Sequence, residues 1–267
     1  MPLCARSNNV PPWYQAPGWD IVCGSSKRWG LAALLGALLL GTAARAEERR
    51  EMVFVAATNH TMPLASFADG KLSGGLLKEL GEAIARRAGR QARFVSVPPR
   101  RVASTLAEGS ADAVCYVLPE WLDGNFNWSA PLIPDAGVVV ARADAPPVKQ
   151  LSQLEERPVG TVAGYHYAAL SRTLGARFRR DDAPSMEHNI RKLLLGRMQY
   201  AVLEKTTFAY LQRKQPGLGL RADLEFDAFR AQCAFSLRSQ IDIAEADRAI
   251  ASLLHDGGIE RVLSHYR

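Results

Sequence analysis

The apolar and polar positions of residues 52–89 predict strand, loop and helix in succession. Val53, Phe54 and Val55 form a short run of β-formers that breaks at the polar stretch Thr58-Asn59-His60-Thr61-Met62-Pro63. After the turn pair Asp69-Gly70, Leu76, Leu77, Leu80 and Ile84 recur at helical spacing with Glu79 and Glu82 on the opposite face, and Gly89 stands where such a helix stops. Ligands of open α/β sheets sit beyond the carboxyl ends of the strands, so the loop over 59–67 is the first place to expect a binding site.

The same unit recurs. A strand over 93–97 leads to a helix opened by Pro98-Pro99, with Val102, Ala103 and Leu106 as its buried stripe and Gly109 as its stop, and 111–117 reads as a third strand. This βαβαβ pattern predicts a parallel sheet. Residues 118–134 carry Trp121, Phe126 and Trp128 without helical period and read as a long loop. A strand over 137–141 and the linker Ala145-Pro146-Pro147 open a second series: helices over 151–155, 165–174, 186–195 and 205–215, and strands over 159–162, 177–180 and 200–203. A strand over 233–237 and helices over 244–255 and 259–266 are too short for a further domain and should pack back on the first lobe. Two α/β lobes joined by two crossings make a hinge with a cleft, the default place for a ligand.

The first 46 residues differ in character. Lys27-Arg28 precedes an apolar run over 29–43 that ends in Ala44-Arg45-Ala46, the small-x-small pattern of a secretory cleavage site, so cleavage is expected after Ala46. The run is shorter than the ~20 residues that span a bilayer, and the mature form is expected not to be membrane-embedded. Of the 33 basic and 27 acidic residues in the 267-residue chain, 29 and 26 remain after cleavage, a net charge of +3 in place of +6. That weak balance, with Arg86-Arg87 and Arg177 with Arg179-Arg180 on candidate solvated faces, argues against a nucleic-acid partner. Cys115 and Cys233 are the cysteines left; in an exported chain they read as one disulfide, with two buried thiols as the alternative. The five histidines lack metal-ligand spacing, and no nucleophile elbow, HExxH or phosphate loop occurs, so neither a metal nor a cofactor is expected.

Several landmarks in order then carry a resemblance: Asp69-Gly70-Lys71 and Gly74-Gly75-Leu76-Leu77; Pro98 with Arg101; Ala111-Asp112-Ala113; Ser129-Ala130-Pro131-Leu132; Val159-Gly160 with Gly164; Gly196-Arg197; Ala234-Phe235-Ser236; and Asp256-Gly257-Gly258-Ile259. Over essentially all of 52–266 the chain resembles the periplasmic solute-binding proteins of family 3, receptors of polar amino-acid ABC importers. The resemblance implies an α/β, two-lobed type II periplasmic-binding-protein fold whose hinge has two crossing segments. Lobe 1 would comprise 47–133 and 230–267, and lobe 2 would comprise 134–229. It further implies a monomer in the periplasm, a small-molecule ligand and an inner-membrane ABC permease as partner. It brings Cys233 near Cys115, where a disulfide would pin the returning segment within one lobe.

The resemblance also sorts candidate ligand contacts. Amino-acid-binding members grip the substrate carboxylate with an arginine in a Thr-x-x-Arg step, a bidentate clamp; at that step this chain has Pro119-Glu120-Trp121-Leu122. Arg101 reads either as a substitute reaching the cleft or as a solvated helix residue. Glu204 matches the acidic position that binds a substrate ammonium, a charge-assisted bond strengthened as closure expels water; its alternative is a surface carboxylate paired with Lys205 or an arginine. Tyr165 and His166 stand after Gly164, where the family offers a hydroxyl. Asn59, Met62, Tyr116 and Trp121 complete the set.

The function expected is that of a non-enzymatic receptor that closes around a small polar solute, amino-acid-like or amine-bearing, and delivers it to an ABC importer. A dehydratase-like periplasmic enzyme occurs on the same fold, with Glu204 and His166 as an acid-base pair here. A sensory or partner-binding module is the third class.

Overall fold

The computed structural model describes residues 51–267. The leader expected over 1–46 and its cleavage position lie outside them. The first unit is built from β1 (Glu51–Ala57), α1 (Leu76–Arg87) and β4 (Gln91–Val97). Between β1 and α1 the chain adds a hairpin of β2 (Ser66–Ala68) and β3 (Lys71–Gly74), where the sequence suggested only a turn. Asp69 and Gly70, at φ 50° and 71°, supply the two left-handed residues of its tip. Gly75 starts α1 at φ 102°, and a Cβ there would stand 2.6 Å from the Leu64 carbonyl oxygen, so only glycine fits. The stripe Leu76, Leu77, Leu80 and Ile84 is buried.

Next come α2 (Val102–Ala107), entered through a 3-10 turn at Pro99–Arg101, and β5 (Ala113–Val117). β1 lies between β4 and β5, parallel to both. Residues 118–134 hold a 3-10 turn (Pro119–Trp121) and the two-residue strand β6 (Asn127–Trp128). Two long strands follow the expected crossings, and both exceed what the sequence indicated: β7 runs Ile133–Arg142 and β11 runs Leu220–Phe235. They pair antiparallel from Leu220↔Arg142 to Ala231↔Ile133, and β11 continues onto β5. The first half of β11 mixes Arg, Asp, Glu and Phe without clear alternation, and its ladder to β7, with a bulge over Phe226–Phe229, holds it extended.

The second half carries β8 (Pro158–Val162), α3 (Ala168–Leu174), β9 (Arg179–Ala183), α4 (Met186–Leu194), β10 (Tyr200–Glu204) and α5 (Lys205–Lys214). The helix expected from residue 165 begins at Ala168, which leaves Tyr165, His166 and Tyr167 in the loop after β8. α6 (Ile243–His255) and α7 (Gly258–Ser264) close the chain, and Ile250, Leu253, Ile259 and Leu263 join Phe54, Leu80 and Ile84 in one core.

The nine-stranded sheet has the order β4-β1-β5-β11-β7-β10-β8-β9, with β6 on β11. Its two ends are parallel three-stranded blocks, and the antiparallel pair β11 and β7 joins them. Each block has apolar clusters of its own: Val55, Leu106 and Val114 serve the first, and Val140, Leu193 and Leu203, then Val139, Leu170 and Tyr200, serve the second. Cys115 and Cys233 face each other across β5 and β11 and are joined by a disulfide.

Candidate functional site

A cavity of about 560 Å³ opens between the two blocks. Its walls come from the carboxyl ends of β1, β5 and β10, the loop after β8, the turn at Pro119–Trp121 and the β11 bulge. Parallel strands end their backbone pairing there, so the loops that follow are free to turn side chains into the gap.

Glu204 ends β10 and is 8% exposed. The Thr207 hydroxyl donates to its Oε2 at 3.1 Å. Burial, joined by the negative charge of Asp135, raises its pKa to about 8, against the lowering effect of the Thr207 bond. Asp135 is buried on β7 and already saturated: the Tyr116 hydroxyl donates to its Oδ2 at 2.6 Å, and the amides of Ala136 and Thr206 donate to its Oδ1 at 2.8 and 3.1 Å. One carboxylate thus ties β5, β7 and the start of α5 together, and the other faces the cleft.

Tyr116 adopts φ 65° within β5, an uncommon conformation for a bulky residue. Its ring lies edge-on to His60 and to Phe229, which in turn meets Trp121 with ring centroids 5.0 Å apart. On the facing wall, Tyr165 follows Gly164, and its hydroxyl comes within 3.4 Å of His60 Nδ1, a polar contact from one block to the other. Burial lowers the pKa of His60 to about 4, which keeps the imidazole neutral at ordinary pH. Burial and the Glu204 charge push the Tyr116 and Tyr165 phenols well above their usual range. Asn59, also 8% exposed, has neither Oδ1 nor Nδ2 hydrogen-bonded to any of the described residues. A buried amide without partners costs free energy that a bound ligand can return.

Six of the eight residues singled out from the sequence therefore line the cleft: Asn59, Tyr116, Trp121, Tyr165, His166 and Glu204. Met62 and Arg101 do not. Met62 packs against the core of the first block. Arg101 is exposed in the entry turn of α2, where its carbonyl accepts the Thr105 hydroxyl at 2.6 Å. The alternative pairing of Glu204 with Lys205 is absent, because Lys205 bonds Glu225 at 2.9 Å. Sequence reasoning passed over His60, Asp135, Tyr167 and Phe229. His60 sits in the very loop marked as a site, and Asp135 is a lone acid in the apolar setting Ile133-Pro134-Asp135-Ala136, a signal that was available. Phe229 had none, since its strand was not recognised.

No protein-family model and no curated protein sequence matches the chain. Solved structures do. An ancestral arginine-binding protein bound to arginine superposes with a TM-score of 0.68 at 18% identity, over 82% of this chain and 98% of that one. The amino acid ABC transporter substrate-binding protein AbpA from Streptococcus pneumoniae, bound to L-arginine, gives 0.68 at 18% identity, over 83% and 97%. A histidine kinase sensor domain with similarity to periplasmic binding proteins gives 0.66 at 22% identity, over 81% and 96%. With a sheet divided into two blocks, two antiparallel crossings and a cleft between, the chain has the two-lobed α/β fold of type II periplasmic binding proteins.

Proposed function

We propose that this protein is a solute receptor whose lobes close around a small polar molecule, amino-acid-like or amine-bearing. The observation that carries this reading is the cleft itself, where a half-satisfied buried carboxylate, Glu204, and an unpaired amide, Asn59, face one enclosed space. Asn59, Tyr116, Trp121, Tyr165, His166 and Glu204 are its contacts, and Cys115–Cys233 holds the return strand of lobe 1. Ligand would favour the closed form by its greater affinity for it, as in other hinge-closing receptors. In this reading the chain is exported to the periplasm, acts as a monomer without enzymatic activity, and hands its ligand to an ABC permease.

A thermal-shift screen against amino acids, polyamines, small carboxylates and aromatic precursors, with mass spectrometry of each hit, tests the proposal. A concentration-dependent rise in melting temperature with the compound recovered intact supports a receptor. Chemical conversion of the compound would make the protein an enzyme. The likeness to a histidine kinase sensor domain favours one second reading, a receptor that signals to a membrane protein rather than feeding a transporter. Binding of the loaded form to a co-expressed permease separates the two.

A further inference from the structure

The geometry points to a narrower ligand class for this cleft: an organic ammonium ion without a carboxylate, seated with its positive centre against Glu204 between the rings of Tyr116 and Tyr165. The inference rests on the receptor reading above and names what the receptor takes.

Glu204 and Asp135 set the charge of the inner wall, while the Arg180 guanidinium, 5.2 Å from the Tyr167 ring centroid, is paired with Asp182 at 2.7 Å. Glu204 comes from β10 and Asp135 from β7, and the Thr207 hydroxyl of α5 is the one donor to the Glu204 carboxyl group among the described residues. Glu204 Oε1 has no protein donor among the described residues, which leaves an acceptor turned to the cavity. The neighbouring groups are phenols and a neutral imidazole. Tyr116 from β5, and Tyr165 and Tyr167 from the loop after β8, all feel the Glu204 charge, and each holds its proton to higher pH for burial first and that charge next or later. His60 stays neutral.

An α-amino acid would need its carboxylate met by a cation or by a row of free amides. Arg172, the one guanidinium among the described residues of the lining, is exposed on α3, and the clamp step carries Leu122 in place of arginine. A carboxylate drawn inside would lose its hydration with no cation to replace it and would stand near the negative charge of Asp135, the same charge that helps to hold the proton on Glu204. An ammonium ion suits the same wall. It gains a charge-assisted bond to Glu204 and the rings of Tyr116 and Tyr165, an arrangement that attracts alkylated and aryl-bearing amines. Asn59, with donor and acceptor both unpaired, is left for a hydroxyl or amide elsewhere on the ligand.

Matched pairs test this directly, each an amino acid and the amine left when its carboxylate is removed: tyrosine and tyramine, phenylalanine and phenethylamine, arginine and agmatine, lysine and cadaverine. Isothermal titration of the purified full chain at pH 7 should show at least one amine binding tenfold or more tighter than its parent acid. Because Glu204 carries a proton near neutrality, binding should also release close to one proton, read as an enthalpy that differs between phosphate and Tris buffers. Glu204→Gln should weaken the amine by about ten- to hundredfold and abolish the proton release. Tyr165→Phe should bind nearly as well as wild type, and Tyr165→Leu roughly three- to thirtyfold less well.

A parent amino acid that binds as tightly as its amine overturns this ligand class and leaves the receptor standing. Absence of binding by every member of both series overturns the receptor reading together with it. The comparison within pairs uses wild-type protein, so it does not depend on any variant folding.

Discussion

Raising the pH from 6.5 to 8 should destabilise the unliganded protein, with Glu204 as the cause. Its carboxyl is raised from 4.5 to about 8, so the folded state keeps a proton that the unfolded chain gives up above about 4.5. Stability from this group is fully present below 4.5 and is lost as the pH climbs through 8. His60 is the opposite case, lowered from 6.5 to about 4 by burial. Its contribution is present above 6.5 and is lost as the pH falls through 4. The two slopes oppose each other between 4.5 and 6.5, and of this pair only Glu204 acts from 6.5 to 8. At ~1.36 kcal/mol per pH unit, that window corresponds to about 2 kcal/mol. Urea denaturation followed by tryptophan fluorescence, at half-unit steps from pH 5 to 9, measures it. Wild type should be level to pH 6.5 and then fall by about 2 kcal/mol. Glu204→Gln should cancel that fall and uncover the rise due to His60. Wild-type stability that stays level through pH 8 would refute a proton held on Glu204, and a glutamine variant that still declines would assign the slope elsewhere.

Asp135→Asn keeps the shape of the side chain but removes the charge received by Tyr116 and the Thr206 amide. It should cost about 1–2 kcal/mol in urea melts at pH 6 and move the Glu204 transition to lower pH, because the Asp135 charge helps to raise it. Replacing Cys115 and Cys233 together by alanine opens a link across a sequence separation of 118. The loss should be about 2–5 kcal/mol of stability, with ligand affinity unchanged in titrations, since Cys115 and Cys233 are directly paired residues of β5 and β11, and the link ties together strands the sheet already holds side by side. Gly75→Ala forces a Cβ against the Leu64 carbonyl at positive φ, and a thermal melt should show destabilisation of about 1–3 kcal/mol. A melting temperature equal to wild type would mean that α1 can be entered another way.

Local pattern and tertiary arrangement divided this protein between them. The buried stripe of α1, the β-forming run of β1 and the apolar stretch before Glu204 were legible because each is a short-range periodicity that burial on one face imposes on the residues themselves. That the loop at Asn59 and His60 would line the cleft was legible because strand ends in α/β sheets leave loops free. The extent of β11 was not, for Leu220–Phe229 is kept extended by pairing with β7 rather than by its own alternation of residue types. Met62 and Arg101 show the same limit: a position in a loop or a helix entry does not say which way the side chain turns, and packing turned one to the core and left the other in solvent. The perturbed proton on Glu204 belongs wholly to the tertiary structure, since it depends on the depth of burial and on Asp135, a residue 69 positions earlier in the chain. Sequence alone determined the kind of chain that can make two α/β lobes. Only folding across the two long strands decided which carboxylate, amide and rings share one cleft, because those contacts are long-range and their energies arise from water being excluded there.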